Sequence, residues 1–193
     1  MSRLAQIKFL FGITRSQGIA RRYFVVNGFD GALTMLGIIA GFHFSGEAEL
    51  HLVIRTCLSA AIALGMSGMT SAYVSEVAER KRALRELADA MVTDLTNTTH
   101  GEAARLVPWL IGAVNGLAPL LIALLIIAPL WFSLRGAPLP LDPLPCAMAL
   151  GLGVIFLLGV FLGRVSGTFW LRSGLQTLAV ALLTAGLIFF VSR

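Results

Sequence analysis

Long apolar runs, separated by short charged or proline-rich intervals, dominate the chain. A membrane-spanning helix needs about 20 mostly apolar residues, and five stretches supply them: residues 23–44, 50–75, 106–134, 144–164 and 169–191. The third is long enough to tilt or kink, and Pro108, Pro119 and Pro129 offer places to do so. Ahead of the first run, residues 3–20 mix Leu4, Ile7, Leu10, Phe11 and Ile13 with basic side chains, a pattern that predicts an interfacial amphipathic helix. Residues 76–92, "EVAERKRALRELADAMV", are rich in helix formers and continue the second run. The Thr, Asn and Gly residues of 93–102 then break it, and 135–145, "RGAPLPLDPLP", is a proline-rich connector. The expected fold is an all-α membrane protein with five transmembrane helices. Its parts are an interfacial segment at 1–22, helices one and two at 23–78, a short helical insert at 79–105 and helices three to five at 106–193.

Composition agrees with that class. The chain of 193 residues is 57% hydrophobic and 13% charged, against about 45–50% apolar and about 25% charged in soluble domains. The first apolar run is too long for the core of a cleaved signal peptide. The charges set an expected orientation. Residues 1–22 carry Arg3, Lys8, Arg15, Arg21 and Arg22 without an acid, and 79–105 carry Arg80, Lys81, Arg82, Arg85 and Arg105. Glu47 and Glu49 occupy the loop between, and Arg164 and Arg172 flank the turn before the last span. The positive-inside rule therefore puts the amino terminus and the 79–105 insert in the cytoplasm and the carboxyl terminus on the other side. The net charge of +5 is a topology signal of this kind and predicts no nucleic-acid partner.

One residue stands out within the first run. Asp30, in "NGFDGALTMLG", follows Tyr23 by seven positions, about 10 Å along a helix. A carboxylate at such a depth costs about 2.5–3.5 kcal/mol even on lenient insertion scales, and one methylene cannot carry it to the interface. It needs a partner, a water-filled cavity or a cation. Asn27, Gly31, Thr34, Gly37 and Gly41 share roughly its face at helical spacing, making that face small and polar. The bland alternative is a protonated aspartic acid that hydrogen-bonds two helices together.

The second run carries the other candidates. In "LGMSGMTSAYVSEVAERKR", small and polar residues surround Met66 and Met69, whose thioethers favour softer transition metals. Met69, Glu76 and Glu79 fall near one face, so a soft donor in the span would be followed by carboxylates at a mouth. Taken alone, the methionines suit gap-filling and Glu79 and Glu86 a solvated face, with Arg82–Glu86 and Arg85–Asp89 as ordinary i,i+4 pairs. An echo of Val-Asn-Gly at Asn27 recurs at Asn115 in the third run, which makes Asn115 a candidate path-lining residue. His43, His51 and His100 form no cluster, and Cys57 and Cys146 have no metal-like spacing. "GMSG" at 65–68 matches the pattern around the nucleophile of rhomboid intramembrane proteases. The required histidine base is absent from the last three spans, so no enzyme is expected.

The two stretches "RRYFVVNGFDGALTMLGIIAGF" and "AIALGMSGMTSAYVSEVAERKR" resemble the vacuolar iron transporter (VIT-like) family. The resemblance rests on the Asp-Gly pair of the first helix and the Tyr-x-Ser-x-x-x-Glu pattern, here Tyr73, Ser75 and Glu79. With "VNGLAPLL" and "LGRVSGTFWLRSGLQTL" it covers about residues 21–191. It implies a five-helix protomer with a cytosolic amino terminus, and a homodimer with the path at its interface. It further implies export of Fe²⁺ or Mn²⁺ as substrate, in exchange for protons and without a cofactor. Asp30 matches the family's intramembrane metal and proton carboxylate, and Glu79 begins its cytoplasmic metal-collecting glutamates, a set to which Glu86 belongs here. Two departures stand out. The family's pore methionine position holds Gly68, leaving Met66 and Met69 as substitutes, and the insert is short, with its acids balanced by bases.

The expected function is thus a divalent transition-metal transporter of a multi-pass, prokaryotic-type inner membrane. Asp30 would bind the ion and exchange it for a proton, and Asn27 and Thr34 would orient the carboxylate. Met66 or Met69 would coordinate, while Glu76 and Glu79 would concentrate cations at the mouth. The alternatives are a non-transporting scaffold or assembly protein and a transporter of another cation.

Overall fold

The computed structural model describes residues 16–46 and 49–192. They form five helices: α1 (Ser16–Ser45), α2 (Leu50–Met91), α3 (Thr99–Leu134), α4 (Pro143–Ser166) and α5 (Trp170–Val191). Each is long and apolar enough to cross a membrane, as the pattern of runs predicts.

Helix ends and apolar ends do not coincide. α1 starts at Ser16, so Arg21 and Arg22 lie within it and the expected boundary at 22/23 is no break in the backbone. Residues 3–15 of the expected interfacial helix lie outside the described residues. α2 runs through 76–91 without interruption, and α3 begins at Thr99, ahead of its apolar run. Polar side chains do not end a helix; loss of backbone bonding does. The break between α2 and α3 opens at Val92, a β-branched residue with φ of 48°, where the left-handed region disfavours a side chain. Asp94 then stabilises the turn: it accepts from the Thr96 N–H and the Thr96 hydroxyl, both at 2.9 Å. Those bonds hold its carboxyl below the usual aspartate range. Further along, α4 starts with Pro143 in its first turn and ends at Gly167, whose φ of 71° favours glycine.

Packing divides the chain into two units. The first unit comprises Gly65–Leu117 with the described residues up to Phe24, and the second comprises Val25–Leu64 and Ala118 onward. In the first, Ala72 of α2 packs with Ala103, Val107 and Ile111 of α3, with Ile19 and Tyr23 of α1 against them. The two longer helices come close there: a Cβ at Gly116 would sit 2.6 Å from the Gly65 carbonyl oxygen and 2.8 Å from Met69 Cβ. Small residues permit such approaches. In the second, Met35, Leu36 and Ile39 of α1 meet Val53 and Cys57 of α2, Ile126, Ile127 and Leu130 of α3, Ile155 of α4 and Ala181 of α5. All of these are fully enclosed.

Candidate functional site

In the second unit α1 crosses α3 where Gly31 meets Pro119. A Cβ at Gly31 would lie 2.8 Å from Pro119 Cα, so only glycine fits. The contact fixes the helix at the residue after Asp30 and turns the carboxylate to the outside of the unit, where it is exposed. No hydrogen bond or ion pair reaches that carboxylate among the described residues. Thr34 does not orient it as expected: its hydroxyl donates to the Asp30 main-chain carbonyl at 2.8 Å, which uses up its one proton. Asn27 is half-buried one turn before.

A chamber of about 190 Å³ opens beside Asp30. Val25, Phe29, Leu158 and Leu162 are among its apolar walls, and among the described residues that line it Asp30 and Thr177 carry polar side chains. The sequence offered no reason to single out Thr177. Its role is visible only once α5 is packed on α4, where its hydroxyl donates to the carbonyls of Gly174 at 2.9 Å and Ile155 at 3.2 Å.

The remaining candidates belong to the first unit. Asn115 is 2% exposed and its amide donates to the Gly68 carbonyl at 2.6 Å; Ser71 donates to the same oxygen at 3.2 Å. Asn115 thus ties α3 to α2 in this unit. Gly68, at the position of the expected family methionine, serves through its main chain. Met66 is 58% exposed, whereas Met69 is half-buried with its Cβ against Gly116.

Glu76, expected to help concentrate cations at the mouth, is enclosed. It is 7% exposed, and Arg80 Nε donates to its Oε2 at 3.2 Å. The i,i+4 spacing of this pair was present in the sequence, but burial was not. Glu79 is exposed, and exposed Glu86 accepts from Arg82 Nε at 2.9 Å, as the spacing predicts. Among the described residues, no three or more His, Cys, Asp and Glu side chains gather into a group that would hold a metal. Any ion bound at Asp30 would therefore depend on one carboxylate with hydroxyl, main-chain or water donors.

Five apolar helices around apolar cores, with a carboxylate exposed within one of them, are consistent with a multi-pass membrane protein. Among curated proteins, an uncharacterized protein of Methanocaldococcus jannaschii is 28% identical over 176 residues, matching 89% of this chain and 88% of its own length. The similarity thus covers most of the chain. No family model matches the chain, and no solved structure matches it.

Proposed function

We propose that the protein is a membrane transporter that moves a divalent transition metal, Fe²⁺ or Mn²⁺, out of the cytoplasm in exchange for protons. The observation that carries this reading is Asp30: an exposed carboxylate within an apolar helix, beside a chamber. An acid so placed must be hydrated, covered or neutralised by a cation or proton. Exchange between the last two states is the elementary step of antiport. The exposed face also suits a homodimer, since a second copy would cover a carboxylate that lipid cannot solvate. The basic amino-terminal segment and 79–105 insert favour a cytoplasmic placement for both, in a prokaryotic-type inner membrane.

In this mechanism Asp30 takes a cation from the cytoplasmic side and releases it as a proton arrives. Glu79, exposed on the α2 extension, raises the local cation concentration. Glu76 contributes there only when Arg80 yields it. The scaffold alternative requires Asp30 to bond helices together, and the absence of a partner for its carboxylate among the described residues favours transport.

The test is flux in reconstituted vesicles with Fe²⁺ and Mn²⁺, followed together with proton movement. Asp30→Asn is expected to abolish both while leaving assembly intact. Undiminished metal-dependent flux in that variant would sink the proposal.

A further inference from the structure

We propose that the turn between α4 and α5 binds the headgroup of an anionic phospholipid, with Arg164 and Arg172 as its cationic donors. The inference does not depend on the transport reading of Asp30; it needs only a multi-pass membrane protein.

The chemistry of the turn selects that ligand. Residues 164–172, "RVSGTFWLR", carry two arginines and no acid. Neither arginine enters an ion pair among the described residues, so both charges await a counter-ion. Phe169, Trp170 and Leu171 lie exposed between them, Phe169 to 65% and Trp170 to 43%. Large apolar side chains beside cations at the end of a span match the boundary between acyl chains and headgroups. There the rings rest against hydrocarbon and the guanidinium groups reach the phosphates. A free phosphate ion would pair with the arginines but leave the three apolar side chains in water. A zwitterionic headgroup carries its own cation beside the phosphate, whereas an anionic one leaves the arginines as counter-charge.

The fold holds this arrangement in place. α4 closes at Gly167, and the Thr168 N–H donates to the Gly163 carbonyl at 3.0 Å. The hydroxyls of Ser166, Thr168 and Ser173 are linked in series at 3.0 and 3.1 Å, which ties the end of α4 to the first turn of α5. A Cβ at Gly163 would sit 2.9 Å from Trp170 Cα, so the two helices meet closely at this end. Arg164 Cζ lies over the Trp170 ring, 5.8 Å from its centre, within reach of a cation–π contact. Such a contact orients the cation and leaves most of its five N–H donors for phosphate oxygens, which they fit in pairs.

Native mass spectrometry of the whole protein in detergent, titrated with phosphatidylglycerol, phosphatidylcholine or inorganic phosphate, tests the site. Wild type is expected to retain phosphatidylglycerol in preference to phosphatidylcholine. Arg164→Gln and Arg172→Gln should each weaken that retention about fivefold, the scale of one cation at an anionic surface. Arg135→Gln, which removes a cation from a different connector, should leave it unchanged. Equal retention of the two lipids by wild type, or undiminished retention in both Gln variants of the turn, overturns the proposal. Equal weakening by Arg135→Gln overturns it as a general effect of charge, and displacement of the lipid by inorganic phosphate overturns it in favour of an ion site alone. If Arg164→Gln is not recovered folded, Arg172→Gln is read in the same assay against the same outcomes.

Discussion

The side-chain amide of Asn115 on α3 donates to the carbonyl of Gly68 on α2 at 2.6 Å, in a setting where Asn115 is 2% exposed. The same carbonyl also accepts from Ser71. Replacing Asn115 by Leu removes the amide donor but leaves the serine contact. A loss of about 1 kcal/mol is expected, within the range measured for interhelical hydrogen bonds in membranes. Thermal unfolding in detergent measures it, and Ser71→Ala alone should do less. An Asn115→Leu protein as stable as wild type would mean that the bond contributes nothing net.

Gly31 and Gly41 lie on the same helix and roughly the same face, yet substitution should separate them. Alanine at Gly31 meets the Pro119 backbone, with Cα 2.8 Å away, which cannot yield as a side chain can. A destabilisation of about 1–3 kcal/mol is expected from overpacking. Alanine at Gly41 meets nothing within 4 Å, and its better helix propensity predicts no loss and up to about 1 kcal/mol of gain. The two melting temperatures, measured side by side, check the close crossing of α1 and α3.

Glu76 and Glu79 should differ as well. Glu76→Gln removes the charge of a buried partner of Arg80, and disruption of a buried pair is strongly destabilising. About 2 kcal/mol is expected, below the fully buried range because Arg80 retains some exposure. Exposed Glu79→Gln should leave unfolding unchanged within about 0.5 kcal/mol. Its effect should appear in flux at low metal concentration and fade at saturation. Equal loss of stability in both variants would contradict the burial of Glu76.

The break between α2 and α3 carries a pH dependence. Asp94 is held below its ordinary value by the Thr96 N–H and hydroxyl. A depressed carboxyl contributes local stability above its unfolded pKa of about 3.9, and that contribution disappears as pH falls through the folded value. Hydrogen exchange at residues 93–98 should therefore accelerate only below about pH 4. Asp94→Asn should remove this acid response, and Thr96→Ala should weaken it. A response centred near neutral pH would assign it to another group.

Much of the fold was legible because a bilayer imposes a simple length rule on helices. The five runs and the continuation of α2 through 76–91 follow from hydropathy and helix propensity. α1 and α3 begin ahead of their apolar stretches, because hydropathy marks where the chain becomes apolar while a helix persists through arginines and threonines. The Arg82–Glu86 pair was legible from spacing because both groups sit on one exposed helix. Asn115 was singled out from an echo of three residues, but its bond to Gly68 joins positions far apart in the chain. Thr34 lay on the right face yet bonds the main chain, a choice between two nearby oxygens that periodicity cannot make.

By itself the sequence determined five apolar helices and an acid placed where an acid is expensive, since both follow from local composition and helical geometry. It could not determine which acids are enclosed, because burial depends on elements packed from elsewhere in the chain. Tertiary structure decided that Glu76 is enclosed with Arg80 while Asp30 is exposed beside a chamber. It also brought Thr177 of α5, far away in the chain, to line the same cleft as Asp30. Glycine at 31 and at 159 permits those arrangements by allowing backbone and hydroxyl to occupy space that any larger residue would fill.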